Sequence, residues 1–307
     1  MPLNTLFELD GQPFSIRDDP TVEEMDRVQN AIEEEKRIQT HGEVDQPGIE
    51  IALALKDAQG IVHGGVIASS VFRVMHLEVL WVSDDLRGKG NGSQLVLGAE
   101  QIGFAGGCFT SQTWTFSFQG PKFYPTIGYQ PLGIYDGYPN GITEHVFMKR
   151  LSADQANYRE LGIPDPQGLT LTTDVSEEDK KIMHAGLHRH VKLNVGDGDK
   201  GIKIRLILKG KVGDLVGGLS AWTTLSNVIF DHIWIAEEFR GKGLGKRLMM
   251  EMERIARENG CIASQAYCFS FLAPSFFQKM GYSVLGVSNG YPPPVEEVYL
   301  IKKYRQA

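Results

Sequence analysis

An internal repeat constrains this chain more than any other feature. Residues 81–139 lie on residues 234–292 at a constant shift of 153 positions, without a gap. Identities at that shift include Trp81 with Trp234, Arg87 with Arg240, Gly107-Cys108 with Gly260-Cys261, and Ser111-Gln112 with Ser264-Gln265. Phe116-Ser117-Phe118 matches Phe269-Ser270-Phe271, Pro121 matches Pro274, Gly128-Tyr129 matches Gly281-Tyr282, and Gly137-Tyr138-Pro139 matches Gly290-Tyr291-Pro292. Two copies with so long a period make a duplicated domain, since a solenoid stacks many short units. Each copy spans about 150 residues, enough to close its own hydrophobic core.

The order of elements repeats as well. Residues 49–55, 61–72 and 74–82 read as strands of an antiparallel meander, with a turn at Asp57-Ala58-Gln59-Gly60. Residues 91–106 read as a helix, 109–115 as a strand, 119–127 as a short helix, and 130–134 and 144–149 as closing strands. The second half offers strands at 203–208, 211–219 and 228–236 and helices at 244–259 and 273–280. The breakers Pro164-Asp165-Pro166 suit a linker. The expected division is a first domain at 1–152, a linker at 153–167 and a second domain at 168–307.

Charge and composition exclude several classes. A net charge of -7 and a pI near 5.7 argue against a nucleic-acid partner, which needs a basic surface. Residues 1–153 hold 11 Lys/Arg against 20 Asp/Glu, and the remainder 20 against 18, so the first half is the acidic one; this balance reads first as a solvated surface kept for solubility, and it would also favour approach of a cationic amine. No apolar run is long enough to span a bilayer, and Met1 to Asp10 carries no secretory pattern, so no membrane partner and a cytoplasmic location are expected. Cys108, Cys261 and Cys268 lack metal or redox spacing and read as buried small hydrophobes. No metal is expected: His184, His188 and His190 read as a solvated helix face, and Glu33-Glu34-Glu35-Lys36-Arg37 as an ordinary charged helix.

The chemistry-bearing motif occurs twice, as Arg87-Gly88-Lys89-Gly90-Asn91-Gly92 and Arg240-Gly241-Lys242-Gly243-Leu244-Gly245, each between a strand and a helix. Glycines let the backbone turn tightly and bring its N–H groups against a pyrophosphate, while the helix N-terminus adds partial positive charge. Neither the dinucleotide pattern G-x-G-x-x-G with its later acid nor the triphosphate pattern G-x-x-x-x-G-K-[ST] is present. A packing turn alone does not account for two copies at equal positions.

With the strands before them, Val82 to Gly92 and Ile235 to Gly245 resemble the signature of the GNAT acetyltransferases, [Gln/Arg]-x-x-Gly-x-[Gly/Ala]. Phe123-Tyr124-Pro125-Thr126-Ile127-Gly128-Tyr129 resembles the family's second signature. The resemblance covers most of each half and is weakest over the first 45 or so residues of each. It implies an α/β (α+β) fold of two GNAT-like domains, each a mixed, mostly antiparallel sheet flanked by helices. It also implies an N-acetyltransferase that uses acetyl-CoA on a primary amine of a small molecule or peptide.

The resemblance further implies where the work is done. Acetyl-CoA would lie where two strands splay apart, its pantetheine against Leu80, Trp81 and Val82 and its pyrophosphate against Arg87, Gly88, Lys89, Gly90, Asn91 and Gly92. Ile235, Arg240, Gly241, Lys242, Gly243, Leu244 and Gly245 would serve the second half likewise. Tyr124 holds the family's general-acid position, where the second half has Phe277, which has no proton to give. The first half is therefore expected to be catalytic. Glu78 is the expected base through water, with Asp231 its counterpart and His76 an alternative. Ser117 and Ser270 stand where many relatives have a cofactor-contacting Asn. Trp81 and Trp234 read as core beside the loop, and Tyr138-Pro139 and Tyr291-Pro292 as loop packing. The alternatives are a non-catalytic acetyl-CoA sensor, or catalysis in the second half. The chain is expected to be a monomer, as an internal pseudo-dimer, or a homodimer.

Overall fold

The computed structural model describes residues 3–45, 47–153, 161–196 and 201–304. In chain order the elements are β1 (Asn4–Leu9), β2 (Gln12–Arg17), α1 (Val22–Gln39), β3 (Glu50–Lys56), β4 (Val62–Val71), β5 (Val74–Val82), α2 (Asn91–Ala105), β6 (Thr110–Phe116), α3 (Phe123–Thr126), β7 (Gln130–Tyr135) and β8 (Glu144–Arg150). There follow β9 (Thr170–Thr172), α4 (Glu177–Val195), β10 (Lys203–Lys209), β11 (Leu215–Thr224), β12 (Asn227–Ile235), α5 (Leu244–Glu258), β13 (Ala263–Phe269), α6 (Pro274–Lys279), β14 (Ser283–Ser288) and β15 (Glu297–Lys303).

These form a mixed α/β protein with two mostly antiparallel sheets flanked by helices, the architecture the resemblance implies. Among the described residues the first sheet runs β7-β8-β6-β5-β4-β3-β9 and the second β1-β2-β10-β11-β12-β13-β15-β14. Strand β11 begins later than its apolar run suggests. Gly210 donates its N–H to the Asp214 carbonyl and Gly213 takes a positive φ, so residues 211–214 form the turn. Helix α3 is shorter than expected, and Pro125 sits in its only turn, where a missing N–H breaks no helical bond.

The sheets do not follow the sequence halves. Strand β9 pairs with β3, through Ala54↔Thr172 to Lys56↔Thr170, so residues beyond the expected linker complete the first sheet. Strand β2 pairs with β10, through Ile207↔Arg17 to Lys209↔Ser15, so the N-terminal hairpin completes the second. The flanking helices are exchanged in the same way. Helix α4 lies on β4 and β5 of the first sheet, and α1 on β11 and β12 of the second. Matching glycines seat them, since a Cβ on Gly65 would come within 2.3 Å of Met183 and one on Gly218 within 2.5 Å of Val28. A cut in the region 153–167 thus divides the repeats but not the sheets. Residues 154–160 of that region lie outside the described residues.

Helices α2 and α5 cover the opposite faces. Leu95, Val96 and Ala99 of α2 close a core with Leu53, Leu55, Val66 and Leu171, the last contributed by β9. Leu248, Met249 and Met252 of α5 close one with Leu206, Leu219 and Ile16, the last contributed by β2. Each exchanged segment is therefore anchored by apolar burial as well as by strand pairing. Equivalent buried ion pairs join helix to sheet, Lys149 to Glu100 at 2.6 Å and Lys302 to Glu253 at 2.7 Å.

The halves meet along β7 and β14, where a Cβ on Gly286 would lie 2.2 Å from the Leu132 carbonyl oxygen. A polar network crosses this contact. Tyr299 donates its hydroxyl to Gln112 Oε1 at 2.6 Å, and Gln112 Nε2 donates to Ser288 Oγ at 2.7 Å. Tyr138 donates to Glu144 at 2.6 Å and Tyr291 to Glu297 at 3.0 Å, which gives the recurring Gly-Tyr-Pro tyrosines a place beyond loop packing. Burial pushes both carboxyls above the usual range.

Candidate active site

Parallel strands that stop pairing leave one edge of each free. Strands β5 and β6 pair only from Val74↔Thr110 to Leu77↔Thr113. Beyond that point a cavity of about 520 Å³ opens between them. At its start β5 carries a bulge: Ile67 pairs with Val79 and Ala68 with Leu77, which leaves Glu78 as the extra residue. A bulge re-aims the side chain it carries. Glu78 is exposed and accepts a short hydrogen bond from the Ser69 hydroxyl.

The glycine loop closes the far end. Gly88 and Gly90 adopt φ of +72° and +84°, and a Cβ on either would meet nothing within 4 Å, so the space over the loop is open. Gly90 caps α2 without a side-chain hydrogen bond, and the first turn holds no acid. An anion could be taken by its N–H groups and the positive end of the helix dipole. Arg87 is held in place by the Val82 carbonyl, to which its Nε donates at 3.0 Å, and by Asp84 at 2.8 Å.

Tyr124 lies in the cavity wall. Its ring packs edge-on to Tyr129 and against Phe147, at 5.4 and 5.7 Å. Burial raises the phenol pKa, which a hydrogen bond with Thr113 partly offsets, so the hydroxyl keeps its proton at neutral pH.

The cavity brings together Glu78, Leu80, Trp81, Val82, Arg87, Gly88, Gly90, Gly92 and Tyr124 of the expected residues. Lys89, Asn91 and Ser117 are not among its walls. Asn91 is buried and donates to the Leu86 carbonyl at 3.2 Å, and Ser117 Oγ accepts the Thr143 N–H at 3.2 Å. Ser270 accepts the Glu296 N–H in the same way.

Residues the sequence reading missed complete the walls, notably Trp114, Phe118, Gln119, Leu187 and His190. Leu187 and His190 come from α4, and His190 Nε2 sits 3.2 Å from the Phe118 carbonyl. His184 and His188 are exposed as expected, but His190 faces the cleft. Trp81 is more than core, because α4 presses on it at Gly186, where a Cβ would lie 2.3 Å from the indole. A signal for α4 was present. Capping boxes at Thr21–Glu24 and Ser176–Asp179 mark α1 and α4 as copies at a shift of 155, which pairs Ile32 with Leu187 and Glu35 with His190.

The second half repeats this plan with changes. Strands β12 and β13 pair only from Asn227↔Ala263 to Ile229↔Gln265, and Asp231 is the bulged residue. Burial raises the Asp231 carboxyl, but His232 at 2.8 Å and the Ser220 hydroxyl at 2.9 Å outweigh it and hold the pKa below the usual range. Phe277 takes the place of Tyr124 and packs edge-on to Phe230 at 5.0 Å. A cavity of about 610 Å³ includes Trp234, Ile235 and Arg240 in its walls. Gly241, Lys242, Gly243, Leu244 and Gly245 are not among them. Leu244 is buried in the core, and Lys242 stands 5.3 Å over the Phe239 ring. Helix α1 places Glu35 in this cavity, 3.5 Å from the Arg240 guanidinium. His76 also lines it, stacked on Trp114 at 5.7 Å, and desolvation lowers its pKa to about 4, too low for an effective base at neutral pH.

Two acetyltransferase patterns and several known acetyltransferases match this chain. The pattern of the acetyltransferase (GNAT) family matches residues 8–125, and that of the acetyltransferase (GNAT) domain residues 205–284. The chain is similar to the blasticidin-S acetyltransferase of Streptomyces morookaense, 38% identical over 95 residues that make up 31% of this chain and 70% of that protein. It is also similar to an acetyltransferase from Bacillus cereus ATCC 14579, at 34% identity over 43% of this chain and 95% of that one, with a TM-score of 0.41. A PaiA N-acetyltransferase from Thermoplasma acidophilum, solved in complex with coenzyme A, shares 18% identity over 43% of this chain and 81% of that one, with a TM-score of 0.30.

Proposed function

The chain belongs to the GNAT family of N-acetyltransferases, and from that premise we propose that its first cleft carries the chemistry, moving an acetyl group from acetyl-CoA to a primary amine of a small molecule. The observation that carries this reading is that one cavity is walled by the open glycine loop, the bulged Glu78 and the buried Tyr124. In the second half a phenylalanine replaces the tyrosine.

The residues present fit the cofactor. The N–H groups at Gly88 to Gly92 would hold its pyrophosphate, and the unpaired edge of β5 from Leu80 to Val82 offers backbone donors and acceptors along its pantetheine. Acetyl-CoA supplies the activated acetyl thioester when bound. Glu78 takes a proton from the ammonium group through water, which frees the nitrogen lone pair that forms the new C–N bond. Tyr124 gives its hydroxyl proton to the sulfur as the C–S bond breaks, and the second proton given up by the new amide nitrogen restores the phenol. Trp81 and Trp114 wall the space between.

Calorimetry with acetyl-CoA, and thiol release against a panel of primary amines that includes blasticidin S, test the reading. One equivalent bound, turnover of an amine and loss of both in Gly90→Glu are expected. Loss of turnover on Gly243→Glu with Gly90→Glu unaffected would move the chemistry to the second half.

A further inference from the structure

Glu78 and Trp114 are walls of both cavities. The first cavity lies between the splayed strands under α4. The second, although it begins at the splay of β12 and β13, extends across the contact between the halves and takes Ser69, Val71, His76, Glu78 and Trp114 from the first half. The space beside the bulged carboxylate of the first half is therefore enclosed on its far side by the second half. Tyr267, Phe271 and Glu297 stand there, with Asp231 on the neighbouring strand.

We propose that this inter-half cavity is the acceptor site of the first half's reaction, and that it takes a cationic primary amine carried on a flat ring. The proposal rests on the reading of the first cleft as catalytic. An amine must reach Glu78 while the cofactor fills the first cleft from loop to thioester, and the second cavity is a space that opens on Glu78 from another side. Its volume of about 610 Å³ suits a small molecule. Its aromatic walls, Trp114, Phe230, Tyr267 and Phe271, offer faces to a planar group. Among its charged walls, Arg240 is paired with Glu35 and Lys36 with Glu33, while Glu78, held by the Ser69 hydroxyl, and Asp231, held by the Ser220 hydroxyl and the His232 ring at 2.8 Å, face the cavity. That balance attracts a cation to the aromatic faces.

On this account the second half has exchanged cofactor binding for acceptor binding. The loop arginine of each half meets a carboxylate, Asp84 at Arg87 and Glu35 at Arg240, but Glu35 comes from the covering helix, where the first cleft has His190, and so adds negative charge over the second loop; Phe277 in place of a tyrosine removes only a proton donor that an acceptor site does not use.

The test is steady-state kinetics on the full chain with the best amine of the panel, for wild type, Tyr267→Ala and Asp231→Asn. Tyr267 is 39% exposed, and Asn at 231 still accepts from Ser220, so both variants are expected to fold. Each should raise the KM for the amine about tenfold, with the KM for acetyl-CoA and kcat little changed. Flat-ring amines should also show lower KM values than spermidine, and only for wild type. Wild-type turnover with the amine KM unmoved in both variants overturns the acceptor site and leaves the first-cleft reading standing. A raised acetyl-CoA KM in their place makes the cavity a second cofactor cleft. Bound acetyl-CoA with no turnover of any amine overturns both.

Discussion

Glu35 stands over the second cleft where His190 stands over the first, each on the helix donated by the opposite half. Glu35 pairs with Arg240 at 3.5 Å, and His190 reaches the Phe118 carbonyl at 3.2 Å. Together with Asn91 against Leu244, this exchange of residue type separates two loops whose Arg, Gly and Lys residues are identical.

Acetyl-CoA stoichiometry follows from that difference. Wild type should bind one equivalent, and Glu35→Ala should raise the affinity of the second loop by a few fold, the scale of a partly exposed ion pair. Calorimetry on both proteins checks this. Two equal sites in wild type would remove the role given to Glu35.

Removing the proton donor should slow the chemistry without disturbing binding. Tyr124→Phe is expected to lower kcat by about 10²- to 10⁴-fold at an unchanged acetyl-CoA affinity, because the ring keeps its contacts with Tyr129 and Phe147. Phe277→Tyr should not restore activity to a Tyr124→Phe chain. Turnover in that double variant would show a second competent site.

Gly186→Ala sets two effects against each other. Helix propensity favours alanine by about 1 kcal/mol. The added Cβ lies 2.3 Å from the Trp81 indole, and overpacking of that kind costs about 1–3 kcal/mol. The clash should prevail, seen as a lower urea midpoint together with a raised KM for acetyl-CoA as Trp81 is pushed into the cleft.

His76 makes stability depend on pH. Its folded pKa of about 4 lies below the ordinary 6.5, so the unfolded chain binds the proton more readily. The neutral ring therefore contributes stability that is present above pH 6.5 and is lost as pH falls towards 4. Urea unfolding across that window should show a shallower loss for His76→Gln than for wild type. Parallel curves would show that burial does not govern this ring.

Much of the site was readable because it is local. The loop, the strand before it and Tyr124 lie within residues 80–124, and the repeat supplied a second copy against which Phe277 stood out. The matched pairs Glu100–Lys149 and Glu253–Lys302 show how closely the copies agree inside their cores. What could not be read was pairing over long distance. The choice of β10 for β2, and of β3 for β9, is a contact between edges that look alike in sequence. The walls from α4 and α1 depend on that choice, so His190 read as solvated and Glu35 as an ordinary surface charge. The bulges at Glu78 and Asp231 were equally hidden, since a bulge is a property of two strands in register and not of one.

Met183 tests the exchange directly. It is fully buried against the first sheet although it lies beyond residue 168. Met183→Ala should cost about 2–5 kcal/mol and expose β4 and β5 to hydrogen exchange before β11 and β12. Preferential exchange in the second sheet would contradict the pairing.

Each half of this chain holds a hairpin or strand and a helix that the other cannot do without. During synthesis the first sheet lacks its last strand until residue 172 has been made, and the N-terminal hairpin has no sheet to join until β10 follows it. Deleting either copy would take from its sibling a sheet edge and a helix that covers its sheet. A second domain kept for that reason would be free to carry Phe277 where the first carries Tyr124.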